Sequence, residues 1–115
     1  MNTQLIHSDI NGVTTSAVLD LQDGTDVEGH EYKSVSGPLT QRISFQLGLV
    51  KEVGVNGLTS EALLAVLIHR TQHMDRQFPC QENKDALAFL RATQRAFSDR
   101  TRDRLIRGVE GEAKL

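Results

Sequence analysis

The chain has 115 residues, a formal net charge of −2, no tryptophan and one cysteine, Cys80. That length suits one domain with a modest core, and the near-neutral charge excludes a generally basic nucleic-acid coat. A lone cysteine excludes an internal disulfide and a zinc site built on paired cysteines. We predict a single domain over 1–115, comprising a β-rich part at 1–57, a helical hairpin at 58–111 and a tail at 112–115.

The first half of the chain carries the signals of a small antiparallel sheet. Asn11-Gly12 and Asp23-Gly24 are hairpin-type turn signals. Apolar and polar residues alternate over Arg42–Leu47, which indicates a sheet with one buried face. We predict strands at Val13–Leu21, Glu31–Val35 and Arg42–Leu47, a loop at Gln22–Glu31 and a short strand at Val53–Gly57.

Two helices are predicted in the second half. Thr59 is a suitable N-cap for the first helix, which we expect to run to about Arg76 with its apolar stretch Ala62–Ile68 buried on more than one side. Phe78-Pro79 ends that helix, and the second continues to Gly108, a suitable C-terminal glycine. The predicted fold class is therefore α+β, a small N-terminal antiparallel sheet followed by a C-terminal antiparallel two-helix hairpin.

The N-terminal segment argues against secretion. MNTQLIHSDIN has no cationic region followed by a long apolar run. The longest apolar run, Ala62–Ile68, is far shorter than the roughly 20 residues that a membrane-spanning helix needs. We therefore expect a soluble, cytoplasmic protein that does not bind a membrane.

Positive charge is concentrated in the second helix. Positions 91–107 hold six arginines and two acids, whereas residues 1–58 hold three basic and seven acidic side chains. Arg100, Arg104 and Arg107 are spaced i, i+4 and i+7, so their guanidinium groups can converge on phosphate or carboxylate. The alternative is a solvated face on which the two acids pair with neighbouring arginines. We favour an anionic ligand, because two acids cannot neutralise six arginines.

Other polar residues carry weaker signals. His69 and His73 have a metal-compatible spacing but no third ligand nearby, so they predict helix surface, with His73 also able to stack on a flat base. Cys80 has no neighbouring base and is expected to be a buried thiol. Asn83 is predicted to cap the second helix, or to read a purine edge with its amide. No catalytic constellation is visible, so we predict no enzyme, no metal and no cofactor.

Three segments resemble the phage anti-Thoeris sponge family. They are VKEVGVNGLT at 50–59, FPCQEN at 78–83 and RTRDR with RGVEG within 100–111. The resemblance covers residues 43–111 well and residues 1–42 more loosely. The family shares its C-terminal helical hairpin with the phage anti-CBASS cyclic-oligonucleotide sponges. The resemblance implies a protein that holds cyclic nucleotide second messengers in the host cytoplasm without cleaving them.

The same resemblance implies ligands, assembly and contact residues. Family ligands include a cyclised ADP-ribose and, in hexameric members, cyclic di- and trinucleotides, and the subunits form dimers that can trimerise. His73 stands where many members carry an aromatic ring, and Phe97 is the large aromatic of the second helix, where members usually carry tryptophan or another large aromatic. Asn83, Arg100 and Arg104 match family ligand contacts, and the helical wheel adds Arg107. The predicted ligand-binding residues are Asn83, Arg100, Arg104, Arg107 and His73.

Two other functions are considered. A nucleic-acid-binding module would use the arginines on phosphates, and the overall acidity and the expected lack of exposed aromatic platforms argue against it. An enzyme that degrades the messenger would need metal ligands or a general base, and the sequence presents neither.

Overall fold

The computed structural model describes residues 1–109 and confirms the α+β class. Two compact units are present, Met1–Leu58 and one that begins at Thr59. The single-domain organisation stays a prediction, and the predicted tail at 112–115, with the last two residues of the predicted hairpin, lies outside the described residues. The elements in chain order are β1 (Asn2–Ser8), β2 (Thr14–Asp20), β3 (Asp26–Ser36), β4 (Leu39–Ser44), α1 (Val50–Val53), α2 (Ser60–Gln77) and α3 (Gln81–Arg107).

The first unit is an antiparallel meander in the order β1-β2-β3-β4. Both turn signals are confirmed. Gly12 lies between β1 and β2 with φ of 79°, a conformation that favours glycine. Asp23 lies between β2 and β3, where the Thr25 N–H donates to its carboxylate at 2.9 Å and lowers the pKa of Asp23. Ala17, Val18 and Val27 are the buried hydrophobic residues of this unit.

Three expectations for the first unit are wrong. β1 has no predicted counterpart, and β3 already begins at Asp26, inside the stretch predicted as a loop. Both segments gain their hydrogen bonds by pairing with β2, which no local pattern reveals. The strand predicted at 53–57 is absent, because α1 ends at Val53 and Gly54 turns away with φ of 76°. Leu58 alone forms a parallel bridge, with Phe45.

The second unit is the predicted helical hairpin. The Thr59 hydroxyl accepts a hydrogen bond from the Ala62 N–H at 3.1 Å, which confirms the N-cap. α3 ends where Gly108 adopts φ of 74°, as expected of a C-terminal glycine. The expected burial of Ala62–Ile68 is wrong, because only Ile68 in this stretch is buried and Val66 is 61% exposed. Within residues 1–109, no helix combines the length and the apolar character needed to cross a membrane.

Candidate ligand-binding site

The predicted ligand-binding residues lie at three separate places on the helical unit. His73 is on an exposed face of α2, Asn83 is in the first turn of α3, and the arginines are in its last turns. Arg100 follows Asn83 by 17 residues in one continuous helix. The rise of an α-helix places them about 26 Å apart along the axis. One chain therefore does not bring Asn83 and the arginines together.

Arg100 has the most accessible guanidinium of the three predicted arginines. It is exposed, and within residues 1–109 it makes no hydrogen bond or ion pair. Arg107 differs, because its Nε donates to the Asp103 carboxylate at 3.0 Å. A similar pair joins Arg102 to Asp99 at 2.8 Å. The two acids of this helix end therefore occupy two arginines and leave Arg100 available to an anion.

Arg104 is buried, which corrects the expectation that it is exposed. Its side chain is 4% exposed, and its guanidinium donates to the Val109 carbonyl at 2.8 Å. The Val109 N–H donates to the Arg104 carbonyl at 3.0 Å. The last carbonyls of a helix lack intrahelical partners, and an arginine near them is favoured by the helix dipole. Gly108 turns the chain so that Val109 comes within reach of Arg104, which fastens the end of α3.

The connection between the helices corrects two expectations. Cys80, expected to be buried, is exposed, and its Sγ accepts a hydrogen bond from the Asn83 N–H at 3.4 Å. The N-cap is therefore Cys80 and not Asn83, because extended backbone continues through Cys80 before the helix begins. The Asn83 side chain instead reaches back, and its Nδ2 donates to the Phe78 carbonyl at 3.3 Å.

Phe78 is an exposed aromatic residue that sequence reasoning passed over. Its side chain is 67% exposed at the C-cap of α2, and Phe89 of α3 is 72% exposed. The expectation that the chain lacks exposed aromatic platforms is therefore wrong. A signal was present in the sequence, because a phenylalanine directly before a proline that ends a helix lies at a corner, where few neighbours can cover it.

His73 lines a shallow, open groove along α2. The groove has a volume of about 640 Å³, and among the described residues its lining is Ala65, Val66, His69, Arg70 and His73. Two imidazoles and a guanidinium beside small apolar side chains suit a flat, negatively charged ligand. Neither Asn83 nor the arginines of α3 line this groove. Within residues 1–109, no three histidine, cysteine or acidic side chains are grouped to hold a metal ion.

Comparison with known proteins places the chain in a family. Over 80 residues it is 40% identical to a protein named Thoeris anti-defense 1, from Bacillus phage SBSphiJ7. The chain belongs to the anti-Thoeris family. The aligned part is 69% of this chain and 56% of the relative, so the chain spans little more than half of the relative's length. A scan against models of protein families found no match.

In this anti-Thoeris family member, the accessible groups are suited to binding. The Arg100 guanidinium can form paired hydrogen bonds to phosphate. The Asn83 amide and the Phe78 ring suit the edge and the face of a base. Arginine stays protonated, and amides and phenyl rings do not titrate, so these three groups supply contacts and no general base.

Proposed function

We propose that this chain is a phage anti-defence protein that binds a cyclic nucleotide immune signal and holds it without cleaving it. The observation that carries the proposal is the accessible guanidinium of Arg100, which has no partner within residues 1–109, in a chain of the anti-Thoeris family. The ligand class is cyclised ADP-ribose or a cyclic di- or trinucleotide. Such ligands carry phosphates for arginine and base edges for Asn83.

Sequestration requires tight binding and no chemistry on the ligand. A sponge must outcompete the defence receptor, which calls for a dissociation constant of about 1 nM, or roughly 12 kcal/mol. Pre-positioned donors favour such affinity, since they need little ordering when the ligand binds. Arg100, Asn83 and Phe78 offer contacts of this kind.

Recovery of the ligand separates sequestration from catalysis. The protein is incubated with cyclised ADP-ribose, separated from unbound ligand and denatured, and the released ligand is identified by chromatography and mass. We expect intact ligand in proportion to protein, because none of the proposed contacts can activate water. Linear or hydrolysed product would contradict the proposal. The Arg100→Ala variant, carried through the same steps, is the control for carry-over.

The proposed protein acts as a homo-oligomer. Asn83 and Arg100 of one chain lie about 26 Å apart along the helix axis, farther than one small cyclic nucleotide reaches. Two copies of α3 related by a two-fold axis run antiparallel, so Asn83 of one copy can face Arg100 of the other. Exposed apolar side chains on the helices, such as Val66, Leu105 and Ile106, favour a further contact surface. We propose a dimer, which can assemble further into a hexamer.

Mixing two inactive variants tests the shared site. Asn83→Ala and Arg100→Ala are expected to bind poorly alone, because each lacks one half of every site. In a mixed dimer one site carries both substitutions and the other carries none. After unfolding and refolding together at equal amounts, about a quarter of all sites should recover, as random pairing of two subunits predicts.

Titration calorimetry counts the recovered sites, and mass measurement in solution gives the number of subunits. The matched control is each variant refolded alone. Absence of recovery in a mixture that forms oligomers would place the whole site within one chain. A monomeric mass for the wild-type protein would contradict the shared site directly.

Binding of single-stranded nucleic acid is a second candidate function. The exposed rings of Phe78 and Phe89 favour it, together with the arginines of α3. Such binding weakens steeply with added salt and tolerates any sequence. Under our main proposal, a mixed-sequence oligonucleotide does not compete with cyclised ADP-ribose at physiological salt. Competition that disappears as salt rises would favour the nucleic-acid candidate.

A further inference from the structure

We infer that Phe78 is the stacking platform for the base of the bound cyclic nucleotide, and that Asn83 reads the edge of the same base. The inference rests on the proposed function and deepens it. Two observations carry it: the Phe78 ring is 67% exposed, and the Asn83 amide bonds to the Phe78 backbone at 3.3 Å. Together they place an aromatic face beside a side-chain hydrogen-bonding group.

The backbone that carries Phe78 is fastened on both sides. The Phe78 N–H donates to the Met74 carbonyl at 2.8 Å, and the Phe78 carbonyl accepts from Asn83. Pro79 follows, with its φ locked by its ring. The Cys80 N–H then donates to Asp75 at 3.3 Å. An exposed ring on a restrained backbone loses little entropy when a ligand stacks on it, which raises affinity.

The bond to Phe78 also determines which end of the Asn83 amide is available. A backbone carbonyl only accepts hydrogen bonds, so the amide nitrogen of Asn83 must face it. The oxygen Oδ1 is left as an acceptor, and it accepts no hydrogen bond in the described part of the chain. Only Cα and Cβ separate the Phe78 ring from the bonded carbonyl carbon. A base stacked on the ring can therefore donate an N–H to Oδ1, as the exocyclic amine of adenine does.

Neither of two other rings offers this pairing. His73 lines the groove on α2, and that groove includes neither Phe78 nor Asn83. Phe89 is as exposed as Phe78 but follows Asn83 by six residues. Six residues of an α-helix turn about 120° away from the starting direction, so Phe89 and Asn83 lie on different sides of α3. Phe78 is the exposed ring bonded to an amide.

Substitution at Phe78 tests the stacking role by affinity. In calorimetry with cyclised ADP-ribose, Phe78→Leu should bind about 10- to 100-fold more weakly than wild type, as expected for the loss of one base–aromatic stack. Phe78→Tyr keeps the ring and should bind within about threefold of wild type. Leucine retains the apolar bulk, so the comparison isolates the aromatic face.

A single tryptophan reports the stacking directly. The chain has no tryptophan, so Phe78→Trp carries one reporter. Adding cyclised ADP-ribose should quench its emission in proportion to the occupancy measured by calorimetry. Phe89→Trp, on the other side of α3, is the matched control and should keep its emission.

The possible results separate the inference from the function on which it rests. If the wild-type protein binds neither cyclised ADP-ribose nor a cyclic dinucleotide of adenine, the proposed function fails, and the inference fails with it. If wild type binds and Phe78→Leu binds equally well, the function stands and the Phe78 platform is overturned. A change of solution mass in Phe78→Leu would make Phe78 a subunit contact and also overturn it. Loss confined to a His73→Leu variant would assign the platform to His73 instead.

Discussion

The Arg100→Ala variant should lose at least about 30-fold in affinity for cyclised ADP-ribose, because truncating one member of a buried charge pair costs about 2–5 kcal/mol. Its melting temperature should not change. Arg100 is exposed and has no partner within residues 1–109, so its removal leaves no group unsatisfied in the free protein. Titration calorimetry measures the affinity, and thermal unfolding without ligand measures the stability.

Arg95→Ala is the matched control for Arg100→Ala. Arg95 is also an exposed arginine of α3 without a partner in the described residues, and it lies about 140° around the helix from Arg100. It should bind ligand nearly as well as wild type. An equal loss in both variants would mean that the overall charge of the helix, and not a site at Arg100, attracts the ligand. Normal binding by Arg100→Ala would remove Arg100 from the site.

Arg100→Lys refines the same prediction. Lysine keeps the charge but cannot offer two parallel donors to one phosphate. We expect an affinity between those of wild type and Arg100→Ala. An affinity equal to that of wild type would indicate that a point charge is sufficient at this position.

The features of the fold that sequence predicted are those set by local chemistry. Thr59 caps α2 because its hydroxyl reaches a free N–H, and Gly108 ends α3 because glycine adopts positive φ. β1 and the start of β3 follow a different rule. Their residues are largely polar or exposed, and their conformation comes from pairing with β2. Pairing between distant segments leaves little trace in one sequence.

Hydrophobic pattern predicted what tends to be buried, and not what covers it. Ala62–Ile68 is apolar on every side, yet within the described chain Ile68 is its one buried residue. A helix of this kind needs apolar neighbours on more than one face. The proposed second copy of the chain would supply a further apolar surface, and the solution mass tests that explanation together with the shared site.

The candidate site shows a similar limit. A helical wheel places Arg100, Arg104 and Arg107 on one flank because it treats the helix as isolated. The structure separates them by their partners, since Arg107 pairs with Asp103 and Arg104 bonds to Val109. That second bond depends on the turn at Gly108, which lies beyond the wheel. The reach of Asn83 to Phe78 was equally hidden, since it requires the conformation of the connection between the helices.

The buried Arg104 should be a stability residue. We expect Arg104→Ala to lower the free energy of unfolding by about 3 kcal/mol, since hydrogen bonds to charged groups contribute about 1.5–3 kcal/mol and a buried acceptor is left unpaired. Val109 would lose its bond from the guanidinium, and the end of α3 would fray. Urea unfolding followed by circular dichroism measures the change.

Arg102→Ala is the matched control for Arg104→Ala. Its ion pair with Asp99 is exposed, and exposed pairs contribute at most about 1 kcal/mol. The unfolding curve of Arg102→Ala should nearly coincide with that of wild type. A similarly small effect in Arg104→Ala would contradict the anchoring role.

The same variant tests the predicted ligand contact at Arg104. Because lost stability can reduce capture indirectly, affinity must be measured far below the melting temperature, where the variant is folded. Capture retained by the folded variant would assign Arg104 to the end of the helix alone. Capture lost by the folded variant would mean that ligand binding draws the guanidinium away from Val109, so that the ligand and the end of α3 compete for one arginine. That competition predicts that saturating ligand increases hydrogen exchange at the Val109 amide, whereas simple anchoring leaves that exchange unchanged.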